Sequence, residues 1–539
     1  MSTVTEHDTV VRGGTLIDGT GAPGYRADLG LDGGRITRIA RPAGGDPPKG
    51  RTTVDASGLA VTPGFIDLHS HADFSIEGWP QATTQLHQGV TTLVTGNCGW
   101  SPFPQDPAGL LREWSDFLAP ETGWDFTDTE GFAATVSGAR PAVNLALQVG
   151  HAALRVAVME GAERPPEPAE LGAMRALLRA AAAQGAYGFS TGLIYAPGSF
   201  ATEEEVRALV AEAAAAGLLY STHMRNEAAA LLPAVREALG AAEAAGGRLE
   251  ISHLKAMGPE NHGSVVTALA ELDRARERGV DAAADVYPYT ASSTTLTSRL
   301  PLWSMDGGPP ALLHRLADPA DRERVAEGLR ARFGRDVDPE GVILAELADG
   351  PYSGAVGDSI AEIGRREGTD PAEAALRVLA AHRASVKIVN HAMSEEDVVT
   401  VLRHPMVSVA SDGWVLRPQG AGLPHPRSFG TYPRVLGRYV RELGVLDLPE
   451  AVRKMTGLPA RRLGMADRGR LAEGAVADIA VFDPGTVADR STYTDPWQLS
   501  TGFAAVLVAG VAVLADGSPT GARPGTVLRR PRPRRPATR

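Results

Sequence analysis

The chain changes texture twice. Between residues 8 and 60, short apolar–polar alternations such as Thr9-Val-Val-Arg, Gly-Thr-Leu-Ile-Asp and Arg35-Ile-Thr-Arg-Ile are split by Asp-Gly and Gly-Gly pairs. Alternation with a period of two, punctuated by such pairs, predicts short strands joined by hairpin turns. Residues 468–528 return to the same texture in Ala477-Asp-Ile-Ala-Val-Phe-Asp and Ala504-Ala-Val-Leu-Val-Ala-Gly-Val-Ala-Val. The two ends are therefore expected to pair into one small β-sandwich domain, 1–61 with 465–530. The basic tail 531–539 is expected to be a frayed, disordered end rather than a nucleic-acid arm.

Between these ends, wholly apolar runs alternate with segments rich in Ala, Leu, Glu and Arg, the pattern of parallel βα units. Strands are predicted at Gly64–His69, Gly89–Thr95, Ala142–Val149, Ala186–Ser190, Leu218–His223, Arg248–Ser252, Asp281–Tyr287, Val386–Asn390 and Val407–Ala410, with helices such as Glu203–Ala216 and Ala228–Ala245 between them. Eight strands close a (β/α)8 TIM-like barrel, here over 62–464; of the nine candidates, Val386–Asn390 is the one expected outside it. Residues 298–381 are too long for one connection and are read as an insertion over the barrel mouth, either a lid or a surface excursion.

Composition narrows the class. The 539 residues exceed what one core usually holds, and 43% apolar content is ordinary for a globular protein. A net charge of −11 gives no general bias towards nucleic acid. One cysteine, Cys98, excludes an intrachain disulfide. The N-terminus lacks a signal-peptide pattern, and no run of about 18 apolar residues suggests a membrane span. The expectation is a soluble, cytoplasmic protein; nothing in the pattern fixes an oligomeric state.

The chemistry begins at Thr62-Pro-Gly-Phe-Ile-Asp-Leu-His-Ser-His71. On a strand, His69 and His71 share a face. Further ligand-type residues fall at the ends of later strands: Cys98 in Gly-Asn-Cys-Gly, His223 in Ser-Thr-His-Met, His253 in Ser-His-Leu-Lys and Asp412 in Ser-Asp-Gly. Singly, each has a bland reading as a small buried hydrophobe, a turn cap or an ordinary turn residue. Their recurrence at the same end of successive strands, where barrel active sites lie, predicts one shared metal site. Imidazole, thiolate and carboxylate donors point to zinc, and sulfur argues against magnesium or calcium. Such an ion brings the pKa of a water near neutrality and polarises a carbonyl. Asp412 is the candidate general base and then general acid.

These segments resemble the amidohydrolase superfamily, and specifically the N-acyl-D-amino-acid deacylases. The likeness spans nearly the whole chain, through Pro-Gly-Phe-Ile-Asp-Leu-His-Ser-His, Gly-Asn-Cys-Gly, Gly188-Phe-Ser-Thr-Gly-Leu-Ile-Tyr, Ser252-His-Leu-Lys, Asp285-Val-Tyr-Pro-Tyr, Ser411-Asp-Gly and His425-Pro-Arg. Many relatives bridge two metals with a carboxylated lysine on the fourth strand. This chain has no lysine between Lys49 and Lys255, and the resemblance implies that Cys98 takes that place. It also implies a tight zinc at Cys98, His223 and His253, with a weaker second position near His69, His71 and Asp412. The activity implied is hydrolysis of an N-acyl-D-amino acid to a carboxylate and a free D-amino acid.

The substrate is then a small molecule with a free carboxylate, and five residues are implied to bind it: Arg427 with its bidentate fork, Lys255, Tyr287, Ser293 and Tyr195. Ser292 and Ser293 are not distinguished by sequence. Finding one of only four lysines beside a proposed ligand argues against an incidental Lys255. His151, His391 and Arg225 receive no role. Two other readings stand beside this one. The first is another amidohydrolase acting on a cyclic amide, a D-residue dipeptide or a biosynthetic amide intermediate. The second is a non-catalytic barrel, which predicts a broken ligand set, and all six candidate ligands are intact.

Overall fold

Strands buried on both faces need helices on both sides, and the middle of the chain supplies them. In the computed structural model, which describes residues 6–42, 47–115, 118 and 121–531, eight parallel strands follow one another in sheet order. They are Phe65–Asp67, Val90–Thr95, Asn144–Gly150, Gly188–Gly192, Leu219–His223, Arg248–Ile251, Asp281–Val286 and Val407–Val409. The helices between them are amphipathic and capped. Glu203–Ala215 starts with the Thr202 hydroxyl accepting from the Glu205 amide and buries Val206, Leu209, Val210 and Ala213. Leu231–Ala245 stops at Gly246, whose φ of 59° ends the helix.

The first and eighth strands meet at a seam. Asp412 N–H donates to the His69 carbonyl at 2.7 Å and His71 N–H to the Gly413 carbonyl at 2.8 Å, and Ser70 pairs with Gly413. Below them the Asp67 carboxylate accepts from Ser411 N–H at 2.9 Å and from its hydroxyl at 2.5 Å. The barrel thus closes through the segments that carry His69, His71 and Asp412.

Strands from both chain ends form one nine-stranded sheet. Ile479–Phe482 runs antiparallel to Ala60–Pro63, which in turn pairs with Glu6–Leu16. Two expectations change here. Thr9–Arg12 and Gly14–Asp18 are not two strands across a turn; Glu6–Leu16 is one strand with a bulge between Val11 and Gly14, where Gly13 has a φ of 78°. Val527–Leu528, assigned by sequence to the β domain, pairs instead in parallel with the third barrel strand. The tail from 532 to 539 lies outside the described residues.

The insertion is also wider than 298–381. Ala291–Thr295, Val342–Leu347 and Val386–His391 make a three-stranded antiparallel sheet with its own apolar core, including Leu296, Leu312, Leu344 and Ile388. The ninth candidate strand therefore belongs to the insertion, outside the barrel. The polar run Ala-Ser-Ser-Thr-Thr hides its first strand from a hydrophobicity pattern.

At the opposite end of the barrel, Arg462 is 3% exposed and donates from Nε to Glu250 Oε2 at 2.8 Å, with Asp281 as its second carboxylate partner. Burial pushes Glu250 up to about 7 despite that arginine. Removing one member of such a pair strands the other in a low-dielectric interior. Arg462→Ala is expected to cost ~3–5 kcal/mol, read as a lower midpoint in thermal unfolding; an unchanged midpoint would show that the pair does not hold the barrel floor.

Candidate metal centre

Five segments at the mouth of the barrel turn donor atoms inwards, and three of them do so by leaving ordinary backbone geometry. Cys98, His253 and Asp412 have φ values of 54°, 36° and 51°. Non-glycine residues in this left-handed region carry strain of roughly 1–3 kcal/mol each and persist only where their surroundings impose it. Each is pinned. His253 N–H donates to Asp285 Oδ1 at 2.8 Å, and Asp412 is fixed by the barrel seam. The Cys98 loop is packed backbone to backbone on its neighbours: a Cβ on Gly192 would stand 1.9 Å from the Cys98 carbonyl oxygen, and one on Gly150 would stand 2.3 Å from that of Gly99. Asn97 adds a side-chain bond to the Val94 carbonyl at 3.0 Å and accepts from Gln148 at 2.9 Å.

Donor atoms of His69, His71, Cys98 and Asp412 all lie within 4.8 Å of one another, as do those of Cys98, His223 and His253. The sulfur is common to both groups. It stands 3.3 Å from His69 Nε2 and 3.6 Å from His253 Nε2, while Asp412 Oδ1 is 3.0 Å from His71 Nε2 and 3.3 Å from His69 Nε2. All six side chains are buried. Neither ring nitrogen of His223 has a hydrogen-bond partner, and the Nδ1 atoms of His69 and His71 are also unpaired. Buried imidazoles with free nitrogens, gathered around a sulfur and a carboxylate, are the donor set that zinc prefers.

The electrostatics favour the anionic forms of the sulfur and the carboxylate. Burial pushes the Cys98 thiol up, but His69 and the neighbouring rings of His223 and His253 outweigh it and hold the thiol well below its usual range. Burial likewise raises the Asp412 carboxyl, and Arg427 and His69 more than reverse it. Burial opposes a charged His71, yet Asp412 and Cys98 hold that imidazole up to about 9.

The cavity in front of these donors measures about 40 Å³. Tyr195, Ser293 and Arg427 line it; Ser292 does not. Arg427 Nη1 is 2.7 Å from Asp412 Oδ2, and its Nη2 donates to the Ser293 carbonyl at 3.3 Å. His425 sets that loop, accepting from Arg427 N–H at 3.0 Å while its Nε2 meets the Ala291 carbonyl at 2.9 Å. Tyr195 contacts the hydroxyl of Thr294 at 3.2 Å. Lys255 and Tyr287 lie behind His253, on a neighbouring void rather than on this wall. Lys255 Nζ donates to Glu227 Oε1 at 2.6 Å and stands 2.7 Å from His253 Nδ1; the Tyr287 hydroxyl has no partner.

Sequence reasoning missed two buried carboxylates. Glu227 sits 2.9 Å from His253 Nδ1 and 3.4 Å from His223 Nε2, and Asp285 lies 3.4 Å from His69 Nδ1. Glu227 follows His223 by four residues, a spacing that was the available signal. Of the unassigned residues, His151 is bound to Glu205 Oε1 at 2.8 Å, Arg225 pairs with Glu237 at 2.8 Å, and His391 packs on Tyr493 at 4.7 Å. None reaches the metal centre.

An amidohydrolase family model matches residues 52–514. An N-acyl-D-glutamate deacylase of Alcaligenes xylosoxydans xylosoxydans is 40% identical, with 97% of this chain and 96% of that protein covered. A D-aminoacylase of the same organism is 37% identical, with 97% and 98% covered. A crystal structure of N-acyl-D-glutamate deacylase from Bordetella bronchiseptica, complexed with zinc and a phosphonate mimic of the tetrahedral intermediate, superposes with a TM-score of 0.83 at 40% identity, covering 97% of this chain and all of that one.

The glycine contact provides a test of how the sulfur is held. Gly192→Ala forces a Cβ against the Cys98 carbonyl and is expected to cost ~1–3 kcal/mol. It is also expected to lower the metal content of the purified protein, measured by elemental analysis. Full metal content in a stable variant would show that this packing does not position the thiolate.

Proposed function

The chain belongs to the amidohydrolase family, and from that premise we propose that it is a zinc-dependent N-acyl-D-amino-acid deacylase, releasing a carboxylate and a free D-amino acid. The observation that carries this reading is the sulfur shared by two groups of buried donors at the barrel mouth, with a guanidinium beside the carboxylate. Cys98, His223 and His253 would hold one zinc; His69, His71 and Asp412 would provide for a second, weaker ion at the same sulfur. When bound, zinc supplies an acidified water and an electrophile for the scissile carbonyl.

The residues do the rest. Asp412 takes the proton of the attacking water on a carboxylate oxygen and returns it to the departing nitrogen, because an amide anion is too poor a leaving group to depart unprotonated. Arg427, which lines the cavity and lies 2.7 Å from that carboxylate, binds the substrate α-carboxylate and so fixes the amide relative to the base. Ser293 and Tyr195 line the same wall and complete the grip. Tyr287 carries a free hydroxyl under the Arg427 guanidinium, which lies 4.9 Å over its ring. Lys255, expected from the sequence to bind the substrate carboxylate, is instead held on Glu227 behind His253 and compensates the charge of the group that orients the rings. Glu227 and Asp285 orient the imidazoles they touch.

One further group speaks to the amino-acid side chain. Arg299 is 3% exposed, has no carboxylate within ion-pairing distance among the described residues, and leaves Nη1 without a partner. Burial pushes this arginine down to about 10. Its Nε donates to Ser298 at 3.1 Å, and Ser298 lines a void together with Tyr195 and Thr295. A buried cation without a counter-ion calls for an anionic ligand, so the preferred substrate carries an acidic D-side chain. A lone thiolate ligand suits a reducing compartment, which fits a cytoplasmic enzyme. No helix among the described residues is long and apolar enough to cross a membrane.

The purified protein is expected to contain about one zinc and to hydrolyse N-acetyl-D- but not L-amino acids. Asp412→Ala should remove ~10³-fold or more of the activity. L-selectivity, or no hydrolysis of either series, would displace this reading. Arg427→Ala is expected to act mainly by raising KM, by about tenfold or more; unchanged kinetics would remove it from the carboxylate. Arg299→Gln should lower the ratio of kcat/KM for N-acetyl-D-glutamate over N-acetyl-D-leucine by about tenfold, and an unaltered ratio would detach Arg299 from side-chain selection.

A further inference from the structure

The 40 Å³ cavity adjoins a second chamber of about 200 Å³, with Leu118, Ser293, Lys387 and Trp414 as their common wall. The larger chamber is faced with three indoles, Trp79, Trp414 and Trp497. Trp497 is rigidly placed, because its Nε1–H donates to the Gly422 carbonyl at 2.9 Å and its ring packs on Phe429 at 5.6 Å. The indole nitrogens of Trp79 and Trp414 are buried and have no acceptor. Charged groups in this wall cancel in pairs: Lys387 Nζ with Glu346 Oε2 at 3.1 Å, and Arg417 with Glu121 at 3.8 Å. The chamber therefore offers flat apolar faces without net charge.

An N-acyl-D-amino acid has three arms around the reacting amide. On the deacylase reading, on which this inference rests, the α-carboxylate goes to Arg427 and an acidic side chain to Arg299. The acyl arm is the uncharged one, and the indole chamber is the neutral space next to the reacting atoms. We infer that this chamber is an acyl subsite built for a bulky apolar or aromatic acyl group, such as phenylacetyl or a medium-length alkanoyl, rather than for acetyl. An acetyl methyl ends near the scissile carbonyl and leaves the indole faces uncovered. Each further methylene buried there strengthens binding by about fourfold.

The test is an acyl series on one amino acid. Steady-state kcat/KM is measured on the zinc-loaded enzyme with N-acetyl-, N-butanoyl-, N-octanoyl- and N-phenylacetyl-D-glutamate. The phenylacetyl and octanoyl compounds are expected to exceed acetyl by about tenfold or more, chiefly through KM. The phenylacetyl-to-acetyl ratio should fall about tenfold in Trp497→Ala. Product inhibition of the wild type needs no variant to fold, and phenylacetate should inhibit at about tenfold lower concentration than acetate. Hydrolysis of the whole series with flat kcat/KM, or equal inhibition by the two acids, overturns the acyl subsite and leaves the deacylase intact. Failure to hydrolyse any member, acetyl included, overturns the deacylase reading and the subsite with it.

Discussion

One sulfur atom has to meet rings delivered by three different strands, and the architecture around the barrel mouth follows from that constraint. Cys98 Sγ belongs to both groups of donors, so an error in its position is felt by all of them. The Cys98 side chain faces the cavity and cannot anchor its own loop, to which Asn97 lends its side-chain bonds. The loop is held as well by its own backbone, seated on Gly150 and Gly192 at the ends of the third and fourth strands. The left-handed backbone at Cys98, His253 and Asp412 is the local cost of aiming three donors inwards, and the closed barrel is what offsets it.

The same constraint explains the charges. Thiolate and carboxylate donors buried in a protein need compensation, and the site supplies it in layers. Arg427 faces Asp412, Glu227 faces His223 and His253, Lys255 faces Glu227, and Asp285 faces His69 and the His253 amide. Each imidazole thus stands within 3.4 Å of a carboxylate. A divalent cation is the natural centre of that pattern, because it satisfies the free nitrogens and the excess negative charge together.

Much of this was legible in the sequence because barrel strands are wholly apolar and end in ligands. The eight strands were recognisable by buried runs, and His69, His71, Cys98, His223, His253 and Asp412 by their common position after them. What escaped was what does not repeat along the chain. Glu227 and Asp285 touch the ligands only through the fold, and an isolated acidic residue carries no pattern. The Ala291–Thr295 strand is polar because the insertion's core covers it on one side while Ser293 and Thr294 face the cavity. The bulge at Gly13 reads as a turn because glycine pairs serve both purposes.

Chemistry and selectivity are carried by different parts of the molecule. The barrel provides the six donor side chains and the Arg427 guanidinium beside Asp412. Ser293, Thr294, Thr295, Arg299 and Lys387 come from the insertion, and Trp497 from the C-terminal region beyond the barrel. None of these six touches a donor group within hydrogen-bonding distance in the described contacts. Substitution among them changes the walls without disturbing the strained loops at the metal. Donor positions fixed to tenths of an ångström by a closed sheet tolerate little change, whereas walls built on a separate core can be exchanged. On the proposed reading, one donor centre serves acidic or neutral side chains and small or large acyl groups, according to which residues the insertion and the C-terminal region bring to the mouth.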